Sequence, residues 1–110
     1  MHNLQEINAV KTNMKIIYVD IDETICKTPT SRNYYEAIPI QTNIDKINKL
    51  YDEGNTIVYW TSRGSRAKIN WHTLTKHQLD SWKVKYHELR VDKPYYDLLI
   101  DDKTLRIEEV

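Results

Sequence analysis

Lys15-Ile16-Ile17-Tyr18-Val19-Asp20-Ile21-Asp22-Glu23-Thr24 opens on a β-branched and aromatic run and closes on acids. Such a run predicts a strand buried on both faces of a parallel sheet, with the two aspartates just past its end. Further along the chain, Asn43 is placed to cap a helix over residues 43–53, whose Ile44, Ile47, Leu50 and Tyr51 recur at helical spacing before the stop at Gly54. Residues 56–60 predict a second strand, followed by the polar turn Thr61-Ser62-Arg63-Gly64. Residues 71–82 predict a second helix, with Leu74, Leu79 and Trp82 near one face. Residues 86–91 and 97–100 predict two further strands, the last closed by Asp101 and Asp102. Strands alternating with helices predict an α/β domain with a small parallel sheet and right-handed crossovers.

The 110 residues suffice for one domain, expected over 14–110, with residues 1–13 as an extension outside it. Hydrophobic residues make up 40% and charged ones 29%, which excludes a disordered or membrane-embedded composition. No aliphatic run approaches the roughly 20 residues of a membrane span. Sixteen basic and sixteen acidic residues balance, so the excess positive charge of a nucleic-acid binder is missing. Cys26 is the single cysteine and residues 1–13 lack an apolar leader, so a cytoplasmic location is expected.

In parallel α/β sheets ligands bind beyond the carboxyl ends of the strands, where Asp20, Asp22, Thr61, Lys93, Asp101 and Asp102 are expected to gather. Two carboxylates so close at a buried strand end repel unless a cation neutralises them. A hard divalent ion with oxygen ligands suits them, and Mg2+ is the expected cofactor. Any one of these acids taken alone is more simply a turn former or helix cap. Acids at the ends of two strands in one small sheet weigh against that simpler reading.

Asp20-x-Asp22-x-Thr24 after a strand, Thr61 at the end of the next, Lys93, and then Asp101-Asp102 after a hydrophobic strand resemble the ordered motifs of the haloacid dehalogenase superfamily of phosphohydrolases. The resemblance covers residues 15 to about 103. It implies a three-layer Rossmann-like domain and a phosphomonoesterase acting through an aspartyl-phosphate. Asp20 would be the nucleophile and Asp22 the acid and base, with Thr61 and Lys93 stabilising the transferring phosphoryl group. Asp20, Asp22, Asp102 and Asp101 would be the metal residues, Asp102 the preferred direct ligand of the adjacent pair. A response-regulator receiver uses similar groups but carries its acidic pair early and its lysine last, an order not found here.

The chain has no room for the cap domain that often sets substrate choice in that superfamily. Residues 25–40, with Lys27, Arg32, Tyr34 and Tyr35, are the only candidate flap. Short capless members resemble phosphatases of polysaccharide biosynthesis, so a small sugar phosphate is the expected substrate and a homo-oligomer a possible working unit. The alternatives are a polynucleotide-end or nucleotide phosphatase and a non-catalytic phosphate-binding module. Ser62 and Arg63 are the substrate-binding candidates. For Arg63 two readings stand, a second anion contact on the substrate or a solvated turn cation. Arg66 and Lys68 read as solvated charges, and Trp60, Trp71, Trp82, Tyr95 and Tyr96 as core. His72 and His77 are not spaced as a zinc pair, and Cys26 has no histidine partner for a catalytic thiol.

Overall fold

The structure is a computed structural model that describes residues 14–64 and 70–110. The expected extension over 1–13, and Arg66 and Lys68, lie outside the described residues. Strand β1 (Ile16–Val19) leads through a two-stranded antiparallel ribbon, β2 (Cys26–Lys27) and β3 (Ile38–Pro39), into helix α1 (Gln41–Asp52). Strand β4 (Thr56–Trp60), helix α2 (His72–Ser81) and strand β5 (Glu88–Arg90) follow. β1, β4 and β5 form a parallel sheet in that order, Ile17 opposite Ile57 and Tyr59 opposite Leu89.

The pleat sorts the strand residues. Val19, Ile57 and Tyr59 join Ile44 and Ile47 of α1 and Leu79 of α2 in one buried cluster, which Ile17 and Leu89 flank. Two right-handed crossovers that step the same way along a sheet leave both helices on one face. Among the described residues the architecture is therefore two layers, and the expected third layer is not formed. For the same reason β1 is buried on one face only, with Ile16 72% and Tyr18 48% exposed on the other.

Three further expectations are corrected. Helix α1 begins two residues before Asn43, with Ile40 at its N-cap, because the Asn43 side chain instead donates to the Thr24 carbonyl at 2.9 Å. Its stop is as read, Gly54 adopting φ +100°. Residues 97–100 form no strand; Leu98, Leu99 and Ile100 stand in solvent on an arm between Lys93 and the 3-10 turn Ile107–Glu109, where Ile107 rejoins the core. Tyr95 and Tyr96 are exposed on that arm and Trp60 is half-buried on the open face of the sheet, so these three rings are not core.

Candidate active site

Asp20 follows β1 directly, and its carboxylate meets a lysine from 73 positions away. Lys93 Nζ donates to Asp20 Oδ1 at 3.2 Å, and Thr24 Oγ1 donates to Oδ2 at the same distance. Lys93 is carried there by the sheet, its backbone N–H bonding the Thr61 carbonyl just beyond β4. Trp60 and Tyr96 flank the ammonium at 5.7 and 5.2 Å from their ring centres, close enough for cation–π attraction. Burial would lower the lysine's pKa, but the Asp20 charge and a hydrogen bond involving Tyr96 outweigh it, so the ammonium is held protonated. At Asp20 burial prevails instead: it lifts the pKa above the ordinary aspartate value, Lys93 opposing and the nearby Asp22 charge adding.

Asp22 is managed by a different cation. Arg63 Nη2 reaches Asp22 Oδ1 at 2.8 Å and Nε reaches Oδ2 at 3.0 Å, a two-point contact that matches the planar guanidinium to the carboxylate. The Arg63 side chain is fully enclosed. Its remaining donor meets Thr75 Oγ1 at 3.2 Å and the Gln78 side-chain carbonyl, and its plane lies 4.7 Å from the centre of the Tyr34 ring. Thr28 Oγ1 also donates to Asp22. Burial would raise the Asp22 pKa, but Arg63, Thr28 and Cys26 together hold it below the usual aspartate value.

Both sequence readings of Arg63 are thus corrected. Its side chain is enclosed rather than solvated, and its donors are met inside the protein by Asp22, Thr75 and Gln78 rather than held out toward a substrate. Asp22 is turned onto that arginine, which holds its carboxyl below the usual aspartate range. The like-charge cost of the aspartate pair is met within the chain by Lys93 and Arg63.

Thr61 is buried directly after β4, its hydroxyl accepting from the Arg63 backbone N–H at 3.2 Å; Ser62 beside it is half-buried. Asp101 and Asp102 are not brought to the site. Both are exposed on the arm, where Asp101 accepts from the Lys103 N–H in a turn. Among the described residues no group of three or more His, Cys, Asp or Glu side chains is assembled that could hold a metal ion. Of the four residues expected to hold Mg2+, Asp20 and Asp22 stand together at the end of β1, the Asp22 side-chain oxygens engaged by Arg63, while Asp101 and Asp102 lie apart on the arm.

The flap over residues 25–40 is the β2–β3 ribbon and its loop. Glu23 anchors it from a left-handed conformation (φ 67°), accepting from Lys27 Nζ at 2.9 Å, the Thr28 N–H at 3.1 Å and Arg32 at 3.4 Å. Tyr34 and Tyr35 close edge-on against Trp71 at 5.1 and 5.7 Å. Cys26 is buried, and burial pushes its thiol up to about 11, so it stays protonated at neutral pH.

Sequence reasoning missed Thr28, Thr75 and Gln78. Their signal was available in part, since polar residues on the inner face of an amphipathic helix, as Thr75 and Gln78 are on α2, need a buried partner.

Fold and site together define a small α/β domain whose polar cluster sits where a parallel sheet ends. No family model matches the chain, and neither does any curated protein. A crystal structure of a structural-genomics target from Vibrio cholerae is similar to it at 34% identity and a TM-score of 0.76, covering 87% of this chain and 86% of that one. The chain belongs to the family of that Vibrio cholerae protein.

Proposed function

We propose that the protein is a phosphomonoesterase of the haloacid dehalogenase type, with Asp20 as the nucleophile. The observation that carries the reading is the contact between Lys93 and Asp20, which joins the first and third motifs of the sequence beyond the ends of β1 and β5.

An Asp20 carboxylate oxygen attacks phosphorus, the ester P–O bond breaks with its electron pair going to the leaving oxygen, and an aspartyl-phosphate forms. Water then attacks this intermediate, returning Asp20 and inorganic phosphate. Lys93 is placed to balance the negative charge on the equatorial phosphoryl oxygens, with Thr61 beside it. Asp22 can deliver a proton to the leaving alkoxide only in a conformation in which its pair with Arg63 has opened; in the closed pair it orients the loop that follows Asp20. Mg2+ would neutralise charge on the phosphoryl group, and Asp20, Asp22, Asp101 and Asp102 are the residues proposed to hold it.

A small sugar phosphate remains the proposed substrate, from the resemblance to short capless phosphatases of polysaccharide synthesis and from the zero net charge, which disfavours a polynucleotide end. The test is phosphate release from a panel of sugar phosphates and nucleotides with Mg2+ present. Release that disappears in Asp20→Asn is expected; no release from any member, or full activity in Asp20→Asn, rejects the assignment.

A further inference from the structure

The arm that carries Asp101 and Asp102 has the makings of a strand without a sheet. Leu98, Leu99 and Ile100 are 75%, 48% and 89% exposed. At the other side of the molecule β1 pairs only with β4 among the described residues, so its outer edge offers unpaired backbone groups, with exposed Ile16 and Tyr18 beside them. An open edge and a loose apolar strand are complementary surfaces. The arm also stretches the chain: the described residues extend 52 × 31 × 23 Å with a radius of gyration of 15.5 Å, against about 13 Å for a compact domain of this length.

The arm cannot close this gap within its own chain in the parallel sense. Lys93 lies at the carboxyl end of the sheet beyond β5, and a parallel strand beside β1 must start at the opposite end and cross three strand spacings sideways. That return takes a crossover of a dozen or more residues, whereas three residues separate Lys93 from Asp97. A second copy is under no such limit, since its arm can approach from outside.

We propose that two copies exchange arms, residues 97–100 of each adding as a parallel fourth strand to the outer edge of β1 of the other. The expected register sets Leu98 and Ile100 beside Ile17 and Val19, on the face that both helices cover, and Leu99 beside Tyr18. The exchange is reciprocal, as a two-fold interface requires. Its consequence rests on the phosphohydrolase reading: Asp101 and Asp102 of one copy arrive at the end of β1 beside Asp20 of the other. The oxygen donors that neither copy assembles alone are then brought together.

Three measurements test this. Sedimentation equilibrium should give a mass of at least twice 13.2 kDa, and Ile100→Asp should give the single-chain mass with an unchanged circular dichroism spectrum, since that side chain is exposed in the lone chain. Tyr18→Cys and Leu99→Cys, made in separate chains and mixed, should oxidise to a disulfide-linked pair, because neighbouring strands bring Cα atoms within disulfide reach. A monomeric wild type overturns the exchange. So does a disulfide that forms only within one doubly substituted chain, or the absence of any disulfide.

Mixing Asp20→Asn with the double variant Asp101→Asn, Asp102→Asn addresses the shared site. Each alone should be inactive, and random exchange should restore up to about a quarter of wild-type turnover, one intact site in each mixed dimer. A linked dimer with no activity in any mixture upholds the exchange and rejects the phosphatase reading. An active monomer does the reverse.

Discussion

Arg63 and Asp22 form a two-point ion pair, 2.8 and 3.0 Å, in which the arginine side chain is fully enclosed and the aspartate 17% exposed. A charge so enclosed is tolerated because its neighbours complete it: Thr75 and Gln78 from α2 take the outer donor. The pair ties the loop after β1 to the turn after β4 and to α2, so removing one partner leaves the other buried without compensation.

Arg63→Met should accordingly destabilise the protein by about 3–5 kcal/mol, the range for breaking a buried ion pair from one side. Arg63→Lys should recover little, because a single ammonium cannot replace two parallel donors. Urea unfolding of the three proteins measures this, and a loss under about 1 kcal/mol for Arg63→Met would show that the pair is dispensable to the fold.

The two aspartates should respond to pH in opposite senses. Asp22 has a folded-state pKa below the ordinary 3.8, so its stabilising contribution is present above that value and is lost as pH falls through the folded one. Asp20 has a raised folded-state pKa, so ionising it costs stability as pH rises above 3.8. Asp20→Asn is expected to melt at a higher temperature than wild type at pH 7 while losing turnover, and Asp22→Asn at a lower one. Both differences should shrink toward pH 3, and melting curves at pH 3, 5 and 7 show whether they do.

Lys93→Met should cut turnover about a hundredfold or more, the scale of one preorganised charge donor lost at a reacting centre. Lys93→Arg should not restore it, because the space between Asp20, Trp60 and Tyr96 is shaped for a compact ammonium. Near-normal turnover in Lys93→Met would reduce the lysine to a neighbour of the site.

Tyr59 carries a buried hydroxyl with no hydrogen-bond partner among the described residues, its ring edge-on to Tyr86 at 6.0 Å. Tyr59→Phe keeps the ring and removes the unpaired group, so stability should be unchanged or rise by about 1 kcal/mol. A fall of that size in thermal unfolding would reveal a partner for the hydroxyl.

Both helices were readable from the spacing of their apolar residues and the parallel strands from their β-branched and aromatic runs, because each element buries a face against the same cluster. The conjunction of Asp20 with Lys93 was readable because both follow strands of one parallel sheet, whose carboxyl ends coincide in space. The partner of Arg63 was not, because nothing local separates a turn arginine that points outward from one that folds back onto Asp22. Residues 97–100 mark the other limit. Their composition is that of a strand, and the sequence by itself determined as much; whether they find a sheet was decided by the tertiary arrangement, in which three residues are too short a connection to bring them parallel to β1. Local sequence encodes what a segment can become, and the distances between distant segments decide where, and in which chain, it can do so.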